Sequence, residues 1–265
     1  DAASLTKVVA TTPAIMKLFE WGKLRLNDRV TQYLPEFQGG DSPITVRDLL
    51  THFSGLRPDL DLRPRWSGRR TGIYLALVDP PVEPPGVRFI YSDINFLLLG
   101  EIVERLSGQP LEKFVSEQIW QPLGMKDTMF CPPASLASRI APTEIVEGRL
   151  LRGVVHDPTA RFMGGVAGHA GMFTTAADLA RFAEMMLGEG EREGVRIFGP
   201  LTVRKFTTPQ SPPDQPILRG LGWDIESPYS GNRGELFPVG SYGHTGFTGT
   251  SLWIDPVSRT YVILL

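Results

Sequence analysis

The sequence predicts an α+β fold in which a mainly helical stretch is followed by an antiparallel sheet, and three observations carry this. Ile94 to Leu106 is apolar almost all round, as in a helix enclosed by other elements. Capping-box spacings, Thr45 to Asp48 and Thr175 to Asp178, open further helices. After Gly220 the texture changes to short alternating or β-branched runs separated by Gly, Pro, Asn and Ser.

In chain order, Ser4 to Leu24 places Leu5, Val8, Val9, Ile15, Leu18 and Phe19 at helical spacing, with Pro13 expected to kink the helix. The capping box at Thr45 starts a short helix through Leu50, with Gly55 as its stop. Pro58 to Gly86 is rich in Pro, Arg and Gly and reads as loop with a short helix near Tyr74. The buried helix over 94–106 follows, then one from Leu111 to Trp120 that stops before Pro122 and Gly124, then one from Ala176 to Leu187. Leu221 to Ile225, Ser251 to Ile254 and Tyr261 to Leu265 read as strands. There is no repeat and no low-complexity tract, so 1–265 reads as one domain. About 1–24 and 210–265 form a sheet-associated lobe, and about 25–209 a mainly helical one.

A chain of 265 residues that is 42% hydrophobic can bury a sizeable core. A formal net charge of -2 without a basic run gives no electrostatic footprint for nucleic acid, and no stretch approaches the roughly 20 apolar residues of a membrane span. The single cysteine, Cys131, has no internal partner and reads as a small apolar filler. Asp1 is not preceded by a charged and then apolar leader, so an export signal is either absent or outside this numbering.

Three short elements carry chemistry. Ser4 and Lys7, three apart at the start of a helix, share a face, so the lysine can reach the hydroxyl while the helix N-terminus favours an oxyanion. The competing reading is an N-cap and a solvated lysine, since Ser-x-x-Lys occurs by chance about once in a chain of this size. Tyr91-Ser92-Asp93 lies just before the buried helix. A cation such as Lys7 would lower the tyrosine pKa and make it a proton acceptor, whereas packing and helix capping by Asp93 are the alternative. Gly243-His244-Thr245-Gly246-Phe247 ends a predicted strand, where the glycines let a substrate backbone approach, or mark a bulge.

Taken in order, Ser4-Leu5-Thr6-Lys7, Tyr91-Ser92-Asp93 and His244-Thr245-Gly246 resemble the three signature elements of the penicillin-recognising serine hydrolases. The branch with tyrosine in the second element includes class C β-lactamases, D-alanyl-D-alanine carboxypeptidases, D-aminopeptidases and β-lactamase-like esterases. The segments Leu49-Leu50-Thr51-His52-Phe53-Ser54-Gly55-Leu56, Gly165 to Gly171 leading into Thr174 to Leu179, and Gly220-Leu221-Gly222-Trp223 extend the resemblance nearly end to end. It implies a sheet lobe packed on a helical lobe with the site in the cleft between them. It also implies an acyl-enzyme on Ser4, Lys7 and Tyr91 sharing its proton with the choice of base open, and an oxyanion hole from the N–H groups of Ser4 and Phe247. Asp93, His244, Thr245, Gly246 and Trp223 are the implied substrate contacts, and Trp223 and Tyr229 read either as an acyl pocket or as core or rim aromatics. A small-molecule or peptidoglycan-derived substrate, β-lactams among the candidate ligands, and a periplasmic or secreted bacterial setting follow from the same resemblance.

Two departures bear on substrate. Asp93 stands where the lactamases carry asparagine and, when ionised, has no proton to donate to a substrate carbonyl. His244 stands where they carry lysine, and is expected to titrate near neutrality. Both favour an esterase or D-amino-acid peptidase over an efficient lactamase. The family's strands before the nucleophile helix and its last helix lie outside this numbering, so the sequence is expected to be cropped. His52, His156, His169 and His244 show no metal-ligand spacing, and the glycine-rich loop before Thr174 has no phosphate-binding pattern, so neither metal nor cofactor is expected. A catalytically silent binding module is the alternative from another class.

Overall fold

The computed structural model describes residues 1–41 and 43–265. The opening helix begins at Leu5 and widens over Lys7–Thr11 into a π-helical segment before continuing as α1 (Thr12–Glu20). The expected kink at Pro13 takes this form. Proline has no N–H to return to Val9, and the Val9 carbonyl takes the indole N–H of Trp120 at 3.0 Å. Leu5, Val8, Val9, Ile15 and Leu18 are all buried, so this helix runs through the core.

Further helices are α2 (Val30–Tyr33), α3 (Val46–Thr51), α4 (Arg69–Val78), α5 (Asp93–Ser107), α6 (Leu111–Val115), α7 (Pro158–Phe162), α8 (Ala176–Leu187) and α9 (Pro200–Thr207). The capping box at Thr45 and Asp48 is complete. Gly55 does not stop α3; His52 does, in the left-handed conformation at φ 62°. At α8 the box is half formed. Thr175 accepts from the Asp178 N–H, but the Asp178 carboxylate turns away to take the Asp127 N–H at 2.8 Å and the Thr128 hydroxyl at 2.9 Å. The core of α5 comprises Ile94, Phe96, Leu97, Leu98, Leu99, Ile102 and Val103, with Ser92 rather than Asp93 at the N-cap position.

The five-stranded antiparallel sheet is a meander of β1 (Leu218–Arg219), β2 (Asp224–Glu226), β3 (Tyr242–Thr245), β4 (Ser251–Asp255) and β5 (Thr260–Leu264), in the order β5-β4-β3-β2-β1. In the expected strand over 221–225, Leu221 to Trp223 lie outside β2. Gly222 turns there at φ +83°, where a Cβ would lie 2.0 Å from Thr12 Oγ1. Helix α8 packs on the sheet, with Glu184 Oε1 taking the Tyr261 hydroxyl at 3.3 Å and the Leu187 carbonyl taking Arg259 at 3.3 Å. Residues 176–187, in the mainly helical part of the chain, thus pack against the sheet of 218–264. Apolar faces of both sequence-distant parts need covering, and α8 covers the sheet. Cys131 is exposed at φ 45°, not a core filler, because it sits on a turn between Phe130 and Pro132.

Candidate active site

The turn that carries Ser4 is built by tight backbone contacts. Ala3 adopts φ 45°, an uncommon conformation for a residue with a Cβ, and the helix starts two residues on. The Asp1 carboxylate accepts the N–H groups of Ala3 at 2.8 Å and His156 at 2.6 Å. The Thr250 hydroxyl donates to the Ala2 carbonyl at 3.1 Å. Gly246 is required at this seam, since a Cβ there would lie 2.0 Å from Thr250 Oγ1 and 2.8 Å from the Ala2 carbonyl. These contacts hold the end of β3 against Ser4, which is half-buried.

Lys7 is fully buried; its ammonium donates to Ser4 Oγ at 2.9 Å and to the His169 carbonyl at 3.2 Å, and pairs with Asp93 Oδ1 at 2.6 Å. The glycine-rich loop delivers that carbonyl. Gly168 lies against α5, where a Cβ would come within 1.9 Å of the Phe96 carbonyl, and its own carbonyl takes the Thr11 hydroxyl at 2.6 Å. Burial opposes charge on Lys7, but Asp93 and then Tyr91 outweigh it and hold the pKa above the ordinary lysine value. The Tyr91 phenol is pushed up by burial, and Lys7 offsets this only in part. In the resting site the lysine is an ammonium and the tyrosine a neutral phenol.

Asp93, expected as a substrate contact, is therefore the counterion of Lys7; its side chain is 20% exposed. Beyond it the Asp157 carboxylate and the His169 ring form a second pair at 2.8 Å. Asp93, Asp157 and His169 offer ligand atoms within 4.8 Å of one another. They are the group among the described residues that could hold a metal, and the cation seated against it here is Lys7. Burial opposes charge on His169, but Asp157 and then Asp93 raise its pKa above the usual histidine value. Burial likewise works against the Asp157 charge, yet His169 holds that carboxyl at about 2. Asp59, which accepts the Thr159 hydroxyl, is raised to about 6 by burial, with His169 opposing and Asp93 and Asp157 adding to the rise. Neither Asp157 nor Asp59 has a sequence signal, because their segments meet the Lys7 helix only in the fold.

On the sheet side His244 is 3% exposed, its Nδ1 2.7 Å from the Thr245 carbonyl. A carbonyl only accepts, so Nδ1 carries the proton. Burial, and then Arg219 and Lys7, put the His244 pKa well below the histidine range. The expectation that it titrates near neutrality fails for this reason: it is a neutral imidazole. Thr245 is half-buried beside it. The N–H groups of Ser4 and Phe247 have no hydrogen-bond partner among the described residues, while the Phe247 side chain is 88% exposed.

Trp223 does not line the site. It is fully buried, stacked at 6.4 Å on Phe182 and edge-on to Tyr242 at 5.1 Å, because Gly222 turns the chain inward. Tyr229 is the aromatic at the cleft, half exposed, 5.1 Å from the Tyr91 ring and 6.4 Å from Phe89. A cavity of about 490 Å³ lies beside Phe247, lined by Asp1, Arg139, His156 and Thr174 but not by Ser4, Lys7 or Tyr91.

The sequence and the fold have relatives among known proteins. The family model named Beta-lactamase matches residues 1–265, and the chain belongs to this family. A protein of Escherichia coli (strain K12) named "Putative D-alanyl-D-alanine carboxypeptidase" is 35% identical over 302 residues, covering all of this chain and 68% of that protein. The octameric penicillin-binding protein homologue from Pyrococcus abyssi superposes with a TM-score of 0.75 at 26% identity, over 99% of this chain and 60% of that one. A family VIII carboxylesterase superposes at 0.77 with 20% identity, over 99% and 76%, a likeness of fold. The chain is a hydrolase of the β-lactamase and penicillin-binding protein class.

Proposed function

We propose that this member of the beta-lactamase family forms its acyl-enzyme on Ser4. The carrying observation is the contact of Lys7 Nζ with both Ser4 Oγ and Asp93 Oδ1, beneath the Tyr91 ring at 5.0 Å. Ser4 Oγ attacks the substrate carbonyl, and its proton passes to the Lys7–Tyr91 pair and on to the leaving group as the C–O or C–N bond breaks. Water then hydrolyses the acyl-serine by the reverse path. The resting pair holds one proton too many for this step. The reactive form, whether lysine amine with phenol or ammonium with phenolate, has lost one, and the two arrangements have the same proton count. The oxyanion is received by the N–H groups of Ser4 and Phe247, a reading supported by their lack of another partner among the described residues, and each such donor contributes about 3 kcal/mol in sites of this kind.

The substrate reading that fits best is an ester, or an amide of D-amino-acid type, in preference to a β-lactam. The neutral His244 gives no fixed charge for a carboxylate, and Asp93, engaged with Lys7, has no amide donor to offer. The similarity to the Escherichia coli protein supports a D-alanyl-D-alanine peptide as the second substrate to try. We take 1–265 as one catalytic unit with Ser4 between the sheet and the α5 side.

A fluorophosphonate followed by intact mass tests the nucleophile. A single adduct that disappears in Ser4→Ala is expected, and no adduct, or one that survives the substitution, overturns the assignment. Turnover of p-nitrophenyl esters, nitrocefin and a D-alanyl-D-alanine peptide in parallel separates the substrates, and slow acylation by a penicillin without turnover would mark a binding module instead.

A further inference from the structure

We propose that His52 is the positioning residue for the Tyr91 phenol, an inference that rests on Tyr91 taking part in the proton transfer proposed above. His52 ends α3 in the left-handed conformation, φ 62°, which turns its ring away from solvent; it is 0% exposed. From there it holds three consecutive residues. Its carbonyl accepts the Ile90 N–H at 3.0 Å, its Nδ1 accepts the Ser92 N–H at 3.0 Å, and its ring stacks on the Tyr91 ring with centroids 4.5 Å apart and planes at 28°. The residues on both sides of Tyr91, and the ring itself, are thus fixed by one histidine.

The histidine is held as firmly from behind. Phe96 lies against its other side at 5.4 Å, so the rings run Phe96, His52, Tyr91. Asn95 brings its amide nitrogen to 3.4 Å from Nδ1 while donating to the Leu49 carbonyl at 3.0 Å, and its Oδ1 takes the Ser54 hydroxyl at 2.6 Å. Two N–H donors converge on Nδ1, so that nitrogen must carry a lone pair and the ring proton belongs on Nε2. A charged imidazolium would set a third N–H against these donors. Arg219 from β1, Lys7 from the opening helix and His244 from β3 also oppose charge there, in addition to burial. The ring is a neutral plate of fixed tautomer. An aliphatic side chain would fill this volume without fixing the tyrosine plane, and proton transfer is sensitive to displacements of about 1 Å.

The test separates holding the chain from holding the ring. His52→Ala loses the hydrogen-bond acceptor and the plate together. His52→Asn keeps a residue at ease in the left-handed region and an acceptor for the Ser92 N–H, but not the plate. We expect His52→Asn to recover most of the Tm lost in His52→Ala, with KM for a p-nitrophenyl ester within about threefold of wild type and the acylation burst still slowed by about 10–100-fold. A burst rate restored along with Tm overturns the inference, since the residue then serves the fold alone. Tyr91→Phe runs beside it. If Tyr91→Phe acylates like wild type, the reading of Tyr91 falls and this inference with it; if Tyr91→Phe is slow and His52→Asn is not, only this inference falls. The double variant guards against a general folding defect. Its acylation rate should match that of Tyr91→Phe, because a positioning residue has nothing left to position, and independent multiplication of the two effects counts against the proposal.

Discussion

His169 and His244 are both buried beside Lys7, and their imidazoles move in opposite directions. Burial lowers both. His169 recovers because the Asp157 carboxylate lies 2.8 Å from its Nε2. His244 faces Arg219 and Lys7 instead, so its neighbours add to the effect of burial. One wall of the cleft is thereby a row of matched charges, Lys7 with Asp93 and His169 with Asp157, while the other is the uncharged end of β3, His244 and Thr245. The difference teaches that depth sets the penalty for charge and the partner decides the outcome. It also suits an acyl-transfer site, where protons are handled on one side and a neutral substrate backbone lies along the other.

The strongest way to break this arrangement is to remove the cation both walls share. Lys7→Met should slow acylation by about 10²–10⁴-fold, measured as the p-nitrophenol burst; a burst within tenfold of wild type would place the proton elsewhere. Next is the pH profile. With both Lys7 and Tyr91 raised, kcat/KM for an ester should climb into the alkaline range instead of levelling off near neutrality. Asp93→Asn removes the charge that keeps Lys7 protonated, so its pKa falls and the rising limb moves to lower pH. The same variant supplies an amide donor, and nitrocefin acylation should rise relative to ester turnover.

A smaller effect sharpens the contrast between the histidines. Asp157→Asn should make His169 titrate as His244 does, visible in histidine ring NMR shifts, and should destabilise the fold by about 1–3 kcal/mol. The sign is set by both partners. Asp157 is depressed from 3.8 to about 2, so its contribution is present above the unfolded value and is lost as pH falls toward 2. His169 is raised from 6.5, so its contribution is full below that value and fades as pH rises through the folded pKa. The Tm gap between wild type and Asp157→Asn should be widest between about pH 4 and 6.5. A gap that stays constant with pH would assign the loss to packing. The smallest effect expected is that of Phe247→Ala, within about 0.5 kcal/mol, because the side chain is exposed and only the N–H is assigned a role.

Much of this site is legible in the order of Ser4, Lys7, Tyr91 and His244, since each lies at an element boundary that local patterning marks. The Thr45 box, the apolar 94–106 run and the strands at 251 and 261 are readable for the same reason. What was not legible depends on meetings between distant segments. Asp93 reads as a substrate contact until Lys7 is seen 2.6 Å away, and Asp157 acquires a role only when the glycine-rich loop brings His169 to it. For Trp223 the sequence leaves pocket wall and core aromatic both open, because an aromatic after Gly-Leu-Gly says nothing about which way the turn faces. The two-residue strands, such as Met129–Phe130 with Met172–Phe173, are too short to show a period.

The π-helical segment over Lys7–Thr11 has a consequence for how this chain tolerates change in length. It lies between the end that carries Ser4 and the stretch of α1 that anchors in the core, and it holds more residues per turn than its surroundings. Deleting one residue there would let the helix tighten to its ordinary pitch. Five residues at the wide pitch and four at the ordinary one sweep nearly the same angle, so Ser4 would keep its bearing toward Tyr91 and β3, whereas a deletion within α1 would turn it by roughly 100° about the axis. The wide turn is therefore a place where this helix can lose a residue and leave Ser4 facing the cleft.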